Sequence, residues 1–232
     1  MSTETSLRVS EIFDSIQGEG PSAGSPATFL RLATCNLRCA WCDTRYTWDW
    51  DAFRYEREVR HLATEEVARD IGARSPPRLI VTGGEPLLQQ PAIRALLDLL
   101  PPSLLVEVET NGTLAPVEAL TVRVDQWNVS PKLASSGEDV ERRLLPGPLA
   151  VLRDTGRAWL KIVVRSSSDG AEVDGLLDTL GWPRERVLLM PEGATREALG
   201  RSTPVARDLA GARGLGVSPR IHVERWGGRR GV

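Results

Sequence analysis

With 232 residues, 41% of them apolar and 26% charged, the chain has enough material for one large domain with a full core. A net charge of −2 argues against a nucleic-acid binder held by bulk electrostatics. No apolar run approaches the ~20 residues of a membrane helix, and the polar Met1–Ser6 is not followed by a signal-type apolar run, so the expectation is a cytoplasmic protein with neither nucleic acid nor membrane as partner.

Along the chain, Leu7–Phe13 reads as an added strand. Short apolar, β-branched runs follow at Ala27–Leu32, Leu79–Thr82, Leu104–Val108, Val122–Val129, Trp159–Val164 and Val187–Met190. Runs of this kind fit strands buried on both faces, as in a parallel sheet. Between them lie helical patterns. Thr64-Glu65-Glu66-Val67 reads as a capping box opening one helix. Leu88–Leu100 gives a second, stopped by Pro101-Pro102. Asp169–Leu180 and Arg196–Arg213 give two more, and Ser135–Glu138 reads as a loop. Strand–helix alternation implies right-handed βαβ units and an α/β domain with a mostly parallel sheet. In such sheets ligands sit beyond the carboxyl ends of the strands. Four polar loops fall there: the cysteine loop after Leu32, Gly83-Gly84-Glu85-Pro86, Glu109-Thr110-Asn111-Gly112 and Ser130-Pro131-Lys132.

The only three cysteines stand within eight residues, as Cys35-x3-Cys39-x2-Cys42. An odd, clustered set fits a reducing compartment better than a disulfide framework. Structural zinc needs four ligands, and the fourth would have to be His61 or His222, neither at finger-like spacing. An electron-transfer [4Fe–4S] cluster would want a fourth cysteine. Three thiolates with one open iron remain. An open iron can chelate the amino and carboxylate groups of S-adenosylmethionine, whose reductive cleavage yields a 5′-deoxyadenosyl radical.

With these residues the chain resembles the radical S-adenosylmethionine (SAM) superfamily. Trp41 before the last cysteine and the Gly83–Pro86 turn strengthen the likeness. Smaller motifs narrow it. Ile16-Gln17-Gly18-Glu19-Gly20 precedes the first barrel strand, Arg31 lies inside that strand, and Asp43-Thr44 follows Cys42. Ser130-Pro131-Lys132, His222, Trp226-Gly227-Gly228 and the closing Arg229–Val232 complete the set. In this order, from about Val9 onward, the chain is similar to the 7-carboxy-7-deazaguanine synthase family of the queuosine pathway.

The resemblance implies a partial (β/α)6 barrel over residues 1–232 as one domain. An N-terminal segment would bind substrate and a C-terminal tail would close the site. It implies conversion of 6-carboxy-5,6,7,8-tetrahydropterin to 7-carboxy-7-deazaguanine. The steps would be hydrogen abstraction at C6, ring contraction and loss of ammonia. The cofactors would be a [4Fe–4S] cluster on Cys35, Cys39 and Cys42, S-adenosylmethionine, and Mg2+ on Thr44. Trp41, Asp43, Gly84, Glu85, Ser130, Pro131 and Lys132 would contact S-adenosylmethionine, the glycines admitting backbone groups to the methionine amine and Glu85 adding an acceptor.

Ile16, Gln17, Gly18, Arg31, Thr82, His222 and the terminal carboxylate of Val232 would contact the pterin. An arginine in a buried strand needs an anionic partner. For Arg31 that is the substrate carboxylate or an internal pair with Glu19 or Glu85. Glu109 is a looser candidate for the ribose hydroxyls. No catalytic acid or base is expected beyond the cofactor-derived radical. Trp41, Trp48 and Trp50 are expected to cover the cluster. Family habit adds a homodimer and an electron donor such as flavodoxin or ferredoxin. Two alternatives remain open: a glycyl-radical-enzyme activase or other radical SAM enzyme, and a non-enzymatic metal-binding module.

Overall fold

The computed structural model describes Ser6–Val232; the leading segment, on which the signal-peptide reading partly rests, lies outside the described residues. Strands β1 (Ser6–Ile16) and β2 (Pro26–Leu32) form an antiparallel hairpin. The cysteine loop follows, then helix α1 (Tyr55–Glu58), β3 (Arg60–Ala63) and α2 (Thr64–Gly72). Strand β4 (Arg78–Gly83) leads through a 3-10 turn, Pro86–Gln89, into α3 (Gln90–Asp98). Then come β5 (Leu105–Thr110), α4 (Glu118–Arg123), β6 (Gln126–Val129), α5 (Val140–Arg143) and α6 (Pro146–Asp154). The chain ends with β7 (Ala158–Val164), α7 (Asp169–Leu180), β8 (Val187–Pro191), α8 (Arg196–Gly211), β9 (Gly216–Val217) and α9 (Ile221–Trp226).

The sheet order is β3-β1-β2-β4-β5-β6-β7-β8-β9. β2, β4, β5, β6, β7 and β8 pair in parallel, each followed by helix, which is the expected partial (β/α)6 barrel. β1 and β3 extend one edge antiparallel, and β9 adds two residues to the other. Among the described residues no helix is long and apolar enough to cross a membrane.

The structure departs from the sequence pattern at three places. Val122 belongs to α4, where it is 75% exposed, and the strand starts only at Gln126. Thr64 does not cap α2. Ala63 holds the N-cap position and the Thr64 hydroxyl donates to Glu65 instead. The position three residues on is Val67, which has no side-chain acceptor to complete a box. Ser135 lies within a 3-10 turn, Ala134–Ser136, rather than an open loop.

The helices cover the outer face of the barrel. Leu30 and Leu32 of β2, Leu79 and Val81 of β4, Val106 and Val108 of β5 and Trp127 of β6 point into this layer. They meet Ile93 and Leu96 of α3 and Leu149 and Leu152 of α6.

Candidate active site

Side chains alternate along each strand, so every outward residue has an inward neighbour. The inward set lines a cavity of about 340 Å³: Phe29 and Arg31 of β2, Thr82 of β4, Glu109 of β5, Asn128 of β6, Lys161 and Val163 of β7, and Met190 of β8. The strands are therefore apolar on one face and largely polar on the other.

All three cysteines reach this cavity, from the loop after β2. Two of the sulfurs already receive donors. The Leu37 amide points at Cys35 Sγ (3.4 Å) and the Trp48 indole N–H at Cys42 Sγ (3.3 Å). Burial pushes the Cys35 thiol up to about 12 and also raises Cys39. Ligation must therefore release protons from these thiols. Among the described residues no three His, Cys, Asp or Glu side chains close around a single ion. Three thiols supply one ligand fewer than a tetrahedral structural zinc takes, whereas in a cluster each thiolate takes a different iron. The buried indole N–H of Trp41, on the cavity wall, has no partner within the protein. The three thiols, their donors and this orphaned N–H fit a cluster with a bound co-substrate. Trp50 lies apart from the cavity lining and packs edge-on against Tyr55 (5.0 Å between centroids).

Gly83 and Gly84 line the cavity beside the cysteine loop. A Cβ on Gly84 would lie 2.0 Å from the Thr34 carbonyl oxygen. These glycines therefore serve the approach of two loops as well as lining the cavity. Glu85 departs from expectation. It is fully buried and does not line the cavity. Its carboxylate accepts from the amides of Leu87 (2.9 Å) and Asn111 (2.7 Å) and from the Thr110 hydroxyl (2.9 Å). Burial raises its pKa, and these hydrogen bonds oppose the rise. Glu85 ties the β4 loop to the β5 loop rather than offering an acceptor to the methionine amine. Asn111 in turn donates to Asn36 (2.9 Å), which fixes the cysteine loop to the same unit.

Ser130 and Lys132 both face the cavity, with Lys132 Nζ donating to Ser130 Oγ (2.9 Å) and standing 5.6 Å from the centre of the Trp41 ring. Pro131 between them is buried behind the wall and does not line the cavity. Asp43 does line it, held by Arg220. Burial works against its charge, but the guanidinium outweighs this and keeps the carboxyl below its ordinary range.

Ile16, Gln17 and Gly18 meet the cavity where the β1 strand ends. His222 packs so closely on Gly18 that a Cβ there would lie 2.1 Å from its Nδ1, and the Ile221 amide donates to the Gly18 carbonyl (3.0 Å). Burial pulls the His222 pKa down, with Glu19 at 3.8 Å opposing the effect. Arg31 faces the cavity, but its internal partner is neither Glu19 nor Glu85. Its Nε donates to Glu11 Oε2 (2.9 Å), directly opposite it on the paired strand. Thr82 and Gln17 both donate to Glu109 (2.7 and 3.2 Å). Thr44 also faces the cavity, its hydroxyl 3.6 Å from Cys42 Sγ.

Lys161 and Arg220 were not singled out in the sequence. Both are buried, and both pair with Glu19. Burial penalises each charge, but the mutual attraction prevails: Glu19 is held well below the ordinary carboxylate range and Lys161 and Arg220 well above their own. A lysine inside the apolar run Trp159–Val164 carries the same signal as Arg31, a charge in a buried strand that needs a partner. The tail completes the wall. Gly227–Val232 lines the cavity, so Val232 comes together with the three cysteines.

Residues 31–139 match the family model of the radical SAM superfamily. The 7-carboxy-7-deazaguanine synthase of Pyrobaculum aerophilum is 39% identical, over all of both chains. That of Hyperthermus butylicus is 38% identical over 94% of this chain and 92% of its own. Among solved structures, QueE from Escherichia coli superposes with a TM-score of 0.67 at 27% identity, covering 92% of this chain and 93% of that one. SuiB from Streptococcus suis shares the fold, at a TM-score of 0.52 and 14% identity, over 83% of this chain and 47% of its own. Superfamily membership implies a [4Fe–4S] cluster and S-adenosylmethionine, which the thiols and the cavity fit. By full-length similarity, and by the one cavity that joins its three thiols to the barrel interior, the chain belongs to the 7-carboxy-7-deazaguanine synthase family of radical SAM enzymes.

Proposed function

We propose that this chain converts 6-carboxy-5,6,7,8-tetrahydropterin to 7-carboxy-7-deazaguanine within a single domain. The observation that carries this reading is that one cavity is walled by Cys35, Cys39 and Cys42 together with Gln17, Gly18, Arg31 and Val232. When bound, the cluster and S-adenosylmethionine would supply the radical chemistry that this conversion needs. The protein's own work is to hold, orient and exclude water.

Cys35, Cys39 and Cys42 would hold the cluster. Trp41, Asp43, Gly84, Ser130 and Lys132 form the wall for S-adenosylmethionine. Arg31, already oriented by Glu11, meets the substrate carboxylate as a charge-assisted hydrogen-bond donor. Gln17 and the backbone of Ile16 and Gly18 meet the pterin edge, whose donors and acceptors alternate. Thr82, His222 and the Val232 carboxylate close around the same ring. The Thr44 hydroxyl offers a hard oxygen to Mg2+ beside the substrate carboxylate. A flavodoxin or ferredoxin supplies the electron, and the working form is a cytoplasmic homodimer. Membership in the family sets aside the glycyl-radical activase and the metal-binding module.

The test is anaerobic reconstitution followed by incubation with reductant, S-adenosylmethionine, Mg2+ and 6-carboxytetrahydropterin. A deazapurine product is expected, and its absence with a loaded cluster would overturn the proposal. Thr44→Ala is expected to slow turnover by roughly 10–100-fold, the usual loss when a metal's surroundings are altered, and to flatten the Mg2+ titration. An Mg2+ titration superposable on that of the parent enzyme would remove Thr44 as a ligand.

A further inference from the structure

The chain leaves α9 at Gly227, which turns with φ +64°. Before the turn the helix end is fixed, because Arg196 donates to the carbonyls of Glu224 (2.8 Å) and Arg225. Beyond the turn, among the described residues, one side chain anchors the tail to the body by a hydrogen bond. Arg230 Nη1 donates to Glu58 Oε2 of α1 (2.9 Å). Its guanidinium also lies 3.4 Å from the centre of the Tyr46 ring and 5.7 Å from that of Phe53. Tyr46 and Phe53 meet edge to face, 6.3 Å apart at 68°. The seat therefore has an aromatic floor, an aromatic wall and a carboxylate at its end. An exposed ion pair alone contributes little. A planar guanidinium that stacks and pairs at once is a specific fit that an ammonium does not reproduce.

Two further links run from this seat to the cavity. Val232 is two residues beyond Arg230, and two residues span at most ~7 Å. Seating Arg230 thus confines where the terminal carboxylate can reach. Tyr46, the floor of the seat, donates its hydroxyl to Glu11 Oε2 (2.9 Å). That same oxygen accepts from Arg31 Nε (2.9 Å). A continuous line of contacts joins Arg230, Tyr46, Glu11 and Arg31.

We propose that Arg230 is a positioning residue for the substrate: seated on Tyr46, Phe53 and Glu58, it fixes the Val232 carboxylate and, through Tyr46 and Glu11, the Arg31 guanidinium. This rests on the substrate reading given above, in which Val232 and Arg31 touch the pterin.

The test compares the parent chain with Arg230→Ala, Arg230→Lys and Tyr46→Phe by two readouts. One is KM and kcat for 6-carboxytetrahydropterin in the reconstituted enzyme. The other is release of Val232 by a carboxypeptidase, followed by intact mass before cluster loading and without substrate. Arg230→Ala is expected to raise KM about tenfold, the equivalent of one good contact, with a smaller effect on kcat. Val232 release should quicken by about the same factor. Arg230→Lys, which keeps the charge but not the planar stack, should recover only part of both. Tyr46→Phe keeps the ring and cuts the link to Glu11, so KM should rise while Val232 release stays at the parental rate.

KM and release both within about twofold of the parent in Arg230→Ala would overturn the proposal. So would faster release with unchanged KM, since the seat would then anchor the tail without positioning substrate. If the parent enzyme makes no deazapurine with a loaded cluster, the functional reading fails. The carboxypeptidase arm then still decides whether Arg230 holds the tail.

Discussion

Replacing Arg220 with methionine is expected to destabilise the chain by about 3–5 kcal/mol, the usual cost of removing one partner from a buried ion pair. At this chain length that is a fall in Tm of roughly 6–20 °C. Arg220 is 7% exposed at its side chain and Glu19 12%. The guanidinium donates to Glu19 (3.0 Å), to the Gly193 carbonyl (2.7 Å) and to Asp43. One side chain thus ties the segment after β1, the β8 loop and the cysteine loop to the entry of α9. Without it Asp43 loses its cation, and Glu19 keeps Lys161 and the His222 ring nitrogen at 3.8 Å. The double variant Arg220→Met, Glu19→Gln should recover part of the loss, because the two residues share one network; strict additivity would count against the network. The pH dependence has a fixed sign. Glu19 is held below its ordinary value near 4.5, so its contribution is complete above that pH and declines as pH falls below it. The gap in stability between parent and Arg220→Met should therefore narrow in acid and stay wide near neutrality.

The same network shows what the sequence conceals. Arg220 and Glu19 are 201 residues apart, and Arg220 and Asp43 177. No spacing rule connects positions at that distance; only closure of the barrel brings them together. Lys161 is different. It sits in a run of apolar β-branched and aromatic residues, where an unpaired charge would be untenable. Lys161, Glu107 and Asn128 carry the same mark as Arg31, each in its own strand. Read with period two, these polar residues and Thr82 identify the inner face of the barrel before any coordinates. Reading the strands as apolar on both faces hides this.

The barrel itself was largely legible, because the periodicities were strong. α7 runs over Asp169–Leu180 as the pattern implied. The elements that escaped were those with weak or contrary signals. α6 begins Pro146-Gly147-Pro148, a string that reads as a turn. Its prolines fall in the first turn, where the missing amides are not needed. β3 is four residues at an exposed edge, too short and too polar to show alternation. Glu85 was legible as an acceptor but not as one turned away from the ligand. Its three donors come from its own turn and from Thr110 and Asn111 of the next strand's loop. The Trp48 contact on Cys42 depends on the fold of the 3-10 turn Arg45–Thr47.

Gly84→Ala is expected to cost the enzyme its cluster geometry, with a loss of activity of about 10²-fold or more, the scale of a 1 Å misplacement at a reacting centre. The new Cβ would meet the Thr34 carbonyl oxygen at 2.0 Å, its carbon at 2.5 Å and the Cys35 amide nitrogen at 3.0 Å. These are backbone atoms, which cannot swing aside as a side chain would. Nor can the cysteine loop retreat cheaply. Thr34 already holds φ at +76°, a costly conformation for a β-branched residue. It is kept there because the Thr34 amide donates to Thr47 (2.6 Å) and its carbonyl accepts from Glu85 (2.8 Å). The inserted methyl must break one of these bonds or move Cys35. Iron and sulfide per chain after anaerobic reconstitution should fall with the activity. Gly175→Ala, in α7 with no atom within 4 Å of the new Cβ, should instead stabilise by about 0.4–1 kcal/mol and leave the iron content unchanged. A Gly84→Ala protein that takes up a full cluster and turns over at the parental rate would show that the two loops do not depend on this contact. The GGEP turn would then act on its ligand alone.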